Sequence, residues 1–168
     1  VAALAVAYAI ERVTGLRPAI KWPNDILLEG RKVCGILVET ASSGDRIEYA
    51  IVGIGINVNL DTRAFPEIAA TAISLSACLG RPVSRRELLQ RLLEALEELY
   101  EAARRGEPVF QWWRERLITL GQKVRVQWDD GLYEDGTAEA VDESGALHIR
   151  RDDGSTLVVV AGDVTLAE

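Results

Sequence analysis

The stretch KWPNDILLEGRKVCGILVE, residues 21–39, decides the fold because it sets charged side chains inside an apolar segment with strand character. Pro-Asn-Asp at 23–25 and Glu-Gly-Arg at 29–31 are turn signals, since these residue types favour the backbone conformations of tight turns. The apolar residues between and after the turns predict two short strands joined as a hairpin. Lys32 begins the second strand, where a charge is uncommon. We therefore expect a functional site at this hairpin.

The residues on either side of the hairpin predict helices packed on a sheet. Residues 1–14 are rich in Ala, Val and Leu and are followed by Gly15, which predicts a buried helix with a glycine cap. Strands are predicted at 19–22 and 48–59, and the almost continuous apolar content of the second is typical of a buried strand. Together with the hairpin they predict a sheet of at least four strands.

The middle of the chain is predicted to be largely helical. Residues 61–71 predict a loop and residues 72–79 a short helix. A capping box at 84–87 is followed by leucines at helical spacing up to Gly106, so a long helix is expected to cover one face of the sheet. A last helix, at 107–121, contains a tryptophan pair that we interpret as packing residues.

The C-terminal residues follow a different pattern. From Gln122 onward, short alternating stretches are separated by Asp-Gly and Ser-Gly turns, which predict four or five strands of a small barrel. His148, the single histidine, alternates outward and is interpreted as a surface residue. The sequence therefore predicts an α+β fold. A mixed or antiparallel sheet with packed helices is expected in residues 1–118, and an SH3-like β-barrel in residues 119–168.

The composition of the chain restricts the classes of protein to which it can belong. The chain has 168 residues, 48% of them apolar, and a formal net charge of −7, which argues against a nucleic-acid-binding surface. Cys34 and Cys78 match no disulfide or zinc pattern and are interpreted as buried free thiols of a reducing cytoplasm. The apolar opening, residues 1–10, is shorter than the about 20 residues that span a bilayer. Because the chain begins with Val and contains no Met, we expect a processed or partial chain.

The segment KWPND, followed by GRKVCGILVE, resembles the central motif of the biotin protein ligases. The resemblance is specific over residues 19–59 and implies a class II synthetase-like core beside the SH3-like domain. It implies that ATP and Mg²⁺ are used to activate biotin to biotinyl-5′-AMP, and that the biotinyl group passes to a lysine of the biotin carboxyl carrier domain of a carboxylase. Proteins of that family often form homodimers, so a homodimer is possible for this one. From the charge, the cysteines and the short apolar opening, we expect a cytoplasmic enzyme with neither nucleic acid nor membrane as a partner of this chain.

Three charged residues match the catalytic positions of that family. Forming an acyl-adenylate places negative charge on the α-phosphate, which a preorganised cation stabilises. Lys32, seven positions after Asp25, matches the lysine that lies against the biotin carboxylate and the adenylate phosphate in the family, and Lys21 is expected to support it. Without the resemblance, either lysine is interpreted as extending to solvent. Asp25 is expected to order the carrier lysine, to accept its proton or to help place magnesium, or else only to cap its turn.

The expected biotin and adenylate contacts lie around the same strands. Simple alternation places Lys32 and Gly35 on opposite faces, so Gly35 is expected to contribute through its backbone unless a bulge intervenes. The later Gly-x-Gly segment lacks the third glycine and the strand-to-helix turn of a dinucleotide loop, and in the family a similar segment forms the floor of the site. The expected contacts are Asn24, Gly35, Ile36, Leu37, Gly53, Ile54, Gly55, Ile56 and Asn57.

One part of the family pattern has no match in the chain. A Gly-Arg-rich loop of the form GRGRxGR is absent from the sequence, as is the DNA-binding domain of repressor-type relatives, so the isolated chain is expected to be a poor enzyme. Three alternatives stay open at this point. The chain is a lipoate or octanoyl ligase, a non-catalytic biotin-binding or regulatory fragment, or a degenerate fragment whose sheet serves as an interaction surface.

Overall fold

A computed structural model describes residues 1–44, 46–128 and 131–166 of the chain. These residues form two compact units. One unit comprises Val1–Ala19 and Asn24–Val109, and the other comprises Ile20–Pro23 and Phe110–Glu168. A four-residue segment from the region of the central motif thus belongs with the C-terminal part of the chain. A domain boundary between residues 118 and 119 stays a prediction.

The first sheet has the strand order β1-β2-β3-β4, and its β2-β3 and β3-β4 pairs are antiparallel. The chain forms α1, then these four strands, then a 3₁₀ turn and two further helices. The bounds are α1 (Ala2–Thr14), β1 (Ala19–Lys21), β2 (Asp25–Leu28), β3 (Arg31–Ser43), β4 (Arg46–Ile56), the 3₁₀ turn (Thr62–Ala64), α2 (Leu75–Leu79) and α3 (Arg85–Arg104).

Helix α1 ends where the sequence predicts. Gly15 has φ 74°, a left-handed conformation that side chains with a Cβ disfavour, and its N–H donates to the Glu11 carbonyl at 2.9 Å. The expectation that α3 covers the sheet needs correction, because α3 packs on α1 and α1 is the helix that contacts β2. The leucine stripe of α3 therefore forms a helix–helix seam, whose buried members are Leu88, Leu92, Ala95, Leu99 and Ala102.

Three predicted elements differ from the observed ones. The strand expected to be buried, β4, is exposed along most of its length, because apolar composition does not determine what packs on a strand. The helix predicted from residue 72 begins at Leu75, since the preceding backbone pairs with Lys32. The helix predicted at 107–121 is the shorter α4 (Val109–Arg114), since Leu117 forms a bridge with Ile20 instead.

The second sheet is antiparallel, with the order β8-β7-β6-β5-β9, and its alternating burial is consistent with an SH3-like fold. The prediction of an α+β fold is confirmed. The sequence also predicts turns at Ser42-Ser43-Gly44-Asp45 and at Asp129-Asp130-Gly131. Asp45, Asp129 and Asp130 lie outside the described residues. Among the described helices, none combines the length and apolar content needed to cross a membrane. The strands are β5 (Lys123–Gln127), β6 (Tyr133–Val141), β7 (Leu147–Arg150), β8 (Thr156–Val159) and β9 (Asp163–Leu166).

Candidate functional site

A β-bulge in β3 brings the charged residues of the hairpin to one face of the sheet. Asp25 pairs with Gly35 and Ile26 with Cys34, but Leu27 then pairs with Lys32, so Val33 is an extra residue on β3. An extra residue reverses the alternation of side chains from that point on. Lys32 therefore lies on the same face as Asp25 and Gly35. Of the two explanations left open for Lys32 and Gly35, the structure shows the bulge.

Lys32 and Asp25 form an ion pair at this face. Lys32 Nζ lies 2.5 Å from Asp25 Oδ1, and the side chains are 48% and 13% exposed, respectively. The carboxylate is largely withdrawn from solvent, whereas about half of the lysine side chain is accessible. The pair thus holds a cationic amine in a defined place while leaving it accessible to a ligand.

The backbone N–H and carbonyl of Lys32 are both hydrogen-bonded to a segment later in the chain. Its N–H donates to the Thr71 carbonyl at 2.8 Å, and its carbonyl accepts from the Ile73 N–H at 2.9 Å. The neighbouring bulge residue is held as well, because the Val33 carbonyl accepts from the Asn57 N–H at 2.8 Å. Segment 71–73 and the end of β4 therefore hold the irregular part of β3, which limits how far the amine can move.

Three glycines form the floor of a cavity next to the amine. Gly35 pairs with Gly55 across β3 and β4, and Leu37 pairs with Gly53. Without side chains at 35, 53 and 55, the sheet surface forms a cavity of about 470 Å³ with the Lys32 amine at its side. Its lining consists of Asn24, Lys32, Gly35, Ile36, Leu37, Gly53, Ile54 and Gly55. A volume of this order is typical of sites for small organic ligands.

Asn24 lies in the turn between β1 and β2 and is hydrogen-bonded to β3. Its side-chain Nδ2 donates to the Ile36 carbonyl at 2.6 Å, and its own carbonyl accepts from the Ile36 N–H at 3.2 Å. The side-chain nitrogen is therefore committed to the fold. A ligand at this position would meet the Oδ1 atom.

The structure groups most, but not all, of the residues that the sequence singles out. Lys32, Asp25, Gly35, Leu37, Gly53 and Gly55 share one face by register. Ile36 and Ile54 line the cavity, although strand alternation turns their side chains to the opposite face. Ile56 pairs with Cys34 on that opposite face, and Asn57 follows β4 with its backbone bound to Val33. Lys21 lies in β1 and is counted with the second unit.

Cys34 lies on the face of β3 opposite to Lys32, and its side chain is a neutral thiol. Burial raises the pKa of Cys34 to about 12, while the nearby Lys32 amine lowers it and the Asp25 carboxylate raises it. The thiolate is the nucleophilic form of cysteine, and burial disfavours that form here. Cys34 therefore acts as an apolar packing residue, as expected for a free buried thiol.

The sequence did not reveal the contribution of the segment after β4. Asn59 donates to the Val83 carbonyl and accepts from the Val83 N–H, both at 2.9 Å, which closes the chain between them into a loop. That loop contains the residues that hold the Lys32 backbone. An asparagine among turn residues is too common in loops to mark such a closure in a sequence.

Magnesium would find few protein ligands at this site. Mg²⁺ in nucleotide-dependent enzymes keeps several waters and takes one or two carboxylates together with substrate phosphates. Asp25 supplies one carboxylate, and within the described ranges no group of three or more His, Cys, Asp or Glu residues could hold a metal ion. A single carboxylate is sufficient for a Mg²⁺ ion whose other ligands are water molecules and the phosphates of ATP.

Two family models match the chain, one near its N-terminus and one near its C-terminus. The model of the Biotin/lipoate A/B protein ligase family matches residues 1–57. The model of the Biotin protein ligase C terminal domain matches residues 119–166. The first match contains the bulged hairpin and the glycine floor, and the second contains the five-stranded sheet.

Relatives and solved structures agree with these matches. The chain is 35% identical to a Bifunctional ligase/repressor BirA of Bacillus subtilis, covering 91% of this chain and 48% of that protein. It is 35% identical to a Biotin--[acetyl-CoA-carboxylase] ligase of Paracoccus denitrificans, covering 96% of this chain and 69% of that protein. The biotin protein ligase of Aquifex aeolicus in complex with biotin and ATP superposes with a TM-score of 0.81 at 27% identity, covering 99% of this chain and 69% of that one. The chain thus spans about half the length of the Bacillus relative.

Proposed function

Since the chain belongs to the biotin protein ligase family, we propose that the full-length protein containing it is an ATP-dependent biotin–protein ligase. The observation that carries the proposal is the Lys32–Asp25 pair beside the glycine-floored cavity. In this arrangement a cation lies next to a cavity of a size suited to a small organic acid. The proposed site residues are those predicted from the sequence, with Lys32 as the main catalytic cation.

In the first step, a carboxylate oxygen of biotin attacks the α-phosphorus of ATP. A new O–P bond forms, the bond to the β-phosphate oxygen breaks, and pyrophosphate leaves, which gives biotinyl-5′-AMP. Negative charge builds on the α-phosphate oxygens in the transition state. A preorganised amine such as that of Lys32 stabilises this charge without reorganising during the reaction. Lys21 is proposed to support this step.

In the second step, the amine of a carrier lysine attacks the acyl carbon of the mixed anhydride. A C–N bond forms, the C–O bond to phosphate breaks, AMP leaves and the amine loses a proton. Proximity of the docked amine to the anhydride supplies much of the rate. Asp25 is proposed to act here by ordering the incoming amine or by accepting its proton, since its carboxylate lies at hydrogen-bond distance from the Lys32 amine.

The cavity floor is proposed to receive the biotin ring and tail. Backbone at Gly35, Gly53 and Gly55 allows a ligand to approach the sheet closely, and Leu37 supplies an apolar wall. Ile36, Ile54 and Ile56 are proposed to contribute through the strand backbone or by backing the floor from the other face. Asn24 and Asn57 are proposed to contact the nucleotide part of the adenylate.

The proposed partners follow from this reaction. They are biotin, ATP with Mg²⁺ and the biotin carboxyl carrier domain of a carboxylase, and the free thiols support a reducing, cytoplasmic setting. The relatives from Paracoccus denitrificans and Aquifex aeolicus support this set, since the first is named a ligase of acetyl-CoA-carboxylase and the second was solved with biotin and ATP. A homodimer is proposed as well, in line with the apolar side chains exposed on β4.

Lipoate is the second candidate substrate, because the matching N-terminal family model includes lipoate ligases. The decisive experiment incubates the full-length protein with ATP, a carrier domain and either biotin or lipoate, and detects the carrier's mass increase. A biotin-sized increase that excess lipoate does not suppress is the expected result. Modification by lipoate alone would replace biotin in the proposal, and ligand binding without any modification would indicate a non-catalytic binding module.

A further inference from the structure

The start of the central motif is held by the C-terminal part of the chain. Ile20 donates to the Arg116 carbonyl at 3.1 Å and accepts from the Ile118 N–H at 3.0 Å. Trp22, 1% exposed, donates its backbone N–H to Thr119 Oγ1 at 2.9 Å and its indole Nε1–H to the Gly145 carbonyl at 2.8 Å. Segment 20–23 is therefore hydrogen-bonded as a part of the second unit, as the division of the chain into two units also indicates.

The Gly145 carbonyl belongs to the turn between β6 and β7, and Asp142 shapes that turn. Asp142 Oδ1 accepts from the Ser144 N–H at 2.9 Å, the Ser144 hydroxyl at 2.6 Å and the Ala146 N–H at 3.1 Å. The turn is closed by backbone bonds in both directions, because Gly145 N–H donates to the Asp142 carbonyl and Asp142 N–H donates to the Ala146 carbonyl. One carboxylate thus organises the residues on both sides of Gly145.

The second oxygen of the same carboxylate is also engaged. His148 Nε2 lies 2.9 Å from Asp142 Oδ2. His148 alternates outward between buried Leu147 and Ile149, as the sequence predicts, and has a carboxylate partner there. The hydrogen bonds from Ser144 and His148 hold the pKa of Asp142 far below its usual range. The ionised carboxylate is thus the form that this turn stabilises.

We infer that Asp142 is a positioning residue for the proposed ligase reaction, acting through the Gly145 carbonyl and the Trp22 indole on the chain that enters Asn24 and Asp25. The inference rests on the proposed function, since it gives Asp142 a role only through Asp25. Its physical basis is chain connection, because Pro23 alone separates the held tryptophan from Asn24. A buried indole N–H that loses its acceptor is costly, so a displaced Gly145 carbonyl moves Trp22 or leaves its N–H without a partner.

The first experiment follows the indole N–H of Trp22 directly. The chain has four tryptophans, so ¹⁵N-labelled protein gives four indole signals, and the signal lost in Trp22→Phe identifies the one of interest. Asp142→Ala is expected to accelerate solvent exchange of that N–H about tenfold, the equivalent of one hydrogen bond. Asp142→Asn keeps an acceptor for the two backbone N–H groups and is expected to restore slow exchange.

A matched control lies in the next hairpin of the same sheet. Asp153 Oδ1 accepts from the Ser155 N–H at 2.8 Å in a similar turn between β7 and β8. Among the described residues, the hydrogen bonds of Trp22 go to Thr119 and Gly145 and not to this turn. Asp153→Ala is therefore expected to leave the Trp22 signal unchanged. Unchanged exchange in Asp142→Ala, or equal acceleration in both variants, overturns the link between Asp142 and Trp22.

The second experiment measures carrier biotinylation by the full-length protein. Asp142→Ala and Trp22→Phe are each expected to lower kcat about tenfold while KM for biotin stays within twofold, and the double variant is expected to lose no more than either single one. Accelerated exchange with normal kcat contradicts the positioning role but leaves the ligase assignment standing. An unmodified protein that never labels the carrier overturns the proposed function and the catalytic part of this inference, while the exchange result still decides whether Asp142 holds Trp22.

Discussion

Gly35 lies directly beneath the Lys32 side chain: a methyl group built at position 35 would stand 3.0 Å from Lys32 Cε and 3.2 Å from Nζ. The same methyl group would be 4.0 Å from Asp25 Oδ1. Contacts of 3.0 Å are tighter than carbon atoms normally allow, so the lysine would have to give way. The missing side chain at position 35 is therefore what lets the amine lie across β3 and reach the carboxylate.

Gly35→Ala is expected to displace the amine while keeping the fold, because the crowded atoms are the far end of a flexible side chain. We expect carrier labelling to fall about tenfold to a hundredfold, as misplacement of a catalytic group by about 1 Å does. Labelling rates and thermal unfolding of the variant test this. A variant that unfolds early would show that Gly35 serves the fold, and one that labels normally would remove Lys32 from the reaction.

Lys32→Ala is expected to lower the rate of biotinyl-adenylate formation about a hundredfold or more, the loss seen when one preorganised charge-stabilising donor is removed. Biotin binding should change less, because the glycine floor is untouched. Adenylate formation, followed by pyrophosphate release, and biotin titration separate the two effects. Lys123→Ala, which removes an exposed lysine of β5, is the matched control and should behave as the unmodified protein. Equal losses in both variants would show a general effect of charge.

Gly55→Ala tests the cavity floor without disturbing the lysine. Among the described atoms, a methyl group at position 55 would meet only the Gly35 carbonyl, at 3.9 Å, which is an ordinary contact, so the fold should tolerate it. It would occupy space that the ligand needs, and we expect biotin affinity to fall about tenfold or more. Isothermal titration measures this change. Val52→Ala, on the opposite face of the same strand, should bind biotin normally, and an equal loss there would point to a disturbed strand.

Asn59→Ala is expected to destabilise the first unit by about 1–3 kcal/mol, because the backbone groups of Val83 lose both partners in a partly buried place. Chemical denaturation measures the change. Asn59→Asp keeps the acceptor oxygen and loses only the donor, so its loss of stability should be smaller. If the alanine variant is as stable as the unmodified protein, the loop closure at Val83 does not contribute to the fold.

Cys34 is expected to resist alkylation in the folded chain. With its pKa near 12, its thiolate fraction at pH 8 is about a thousandfold below that of an unfolded thiol with a pKa of about 8.5. Mass spectrometry after iodoacetamide treatment, in a Cys78→Ser background with and without denaturant, measures the protection. The raised pKa also means that stability falls as the pH rises from about 8.5 toward 12, since only the unfolded thiol ionises readily there. Equal alkylation rates with and without denaturant would contradict the burial of Cys34.

The sequence predicted local elements well because their signals are local. The cap at Gly15, the start of α3 at Ser84 and the hairpin over 21–39 each depend on residues within a few positions of one another. The predicted first residue of α2 and the predicted last residue of α4 were both wrong, and the reason is the same for the two helices. In each case backbone that a helix would use pairs with a distant strand residue, Lys32 or Ile20, and a local pattern does not contain that partner.

For the site, the sequence identified the residues but not their arrangement. Strand alternation alone separates Lys32 from Gly35, and only the register between β2 and β3 shows the extra residue that reunites them. The bonds that hold the Lys32 backbone come from residues 71–73, about forty positions later, in a stretch that reads as a loop and a helix. The attachment of Trp22 to Gly145 spans more than a hundred residues and has no sequence signal.

The irregularity at Val33 gives the spacing of this motif a geometric meaning. The seven positions from Asp25 to Lys32 run along β2 and across the turn to the residue opposite Leu27, and the residue outside the ladder, Val33, follows directly. A regular ladder in which Val33 took a pairing position would place the amine on the opposite face of the sheet, with no change in the composition of the motif. In a design or a homologue, the pairing register of this hairpin is therefore a sharper test of function than its sequence motif.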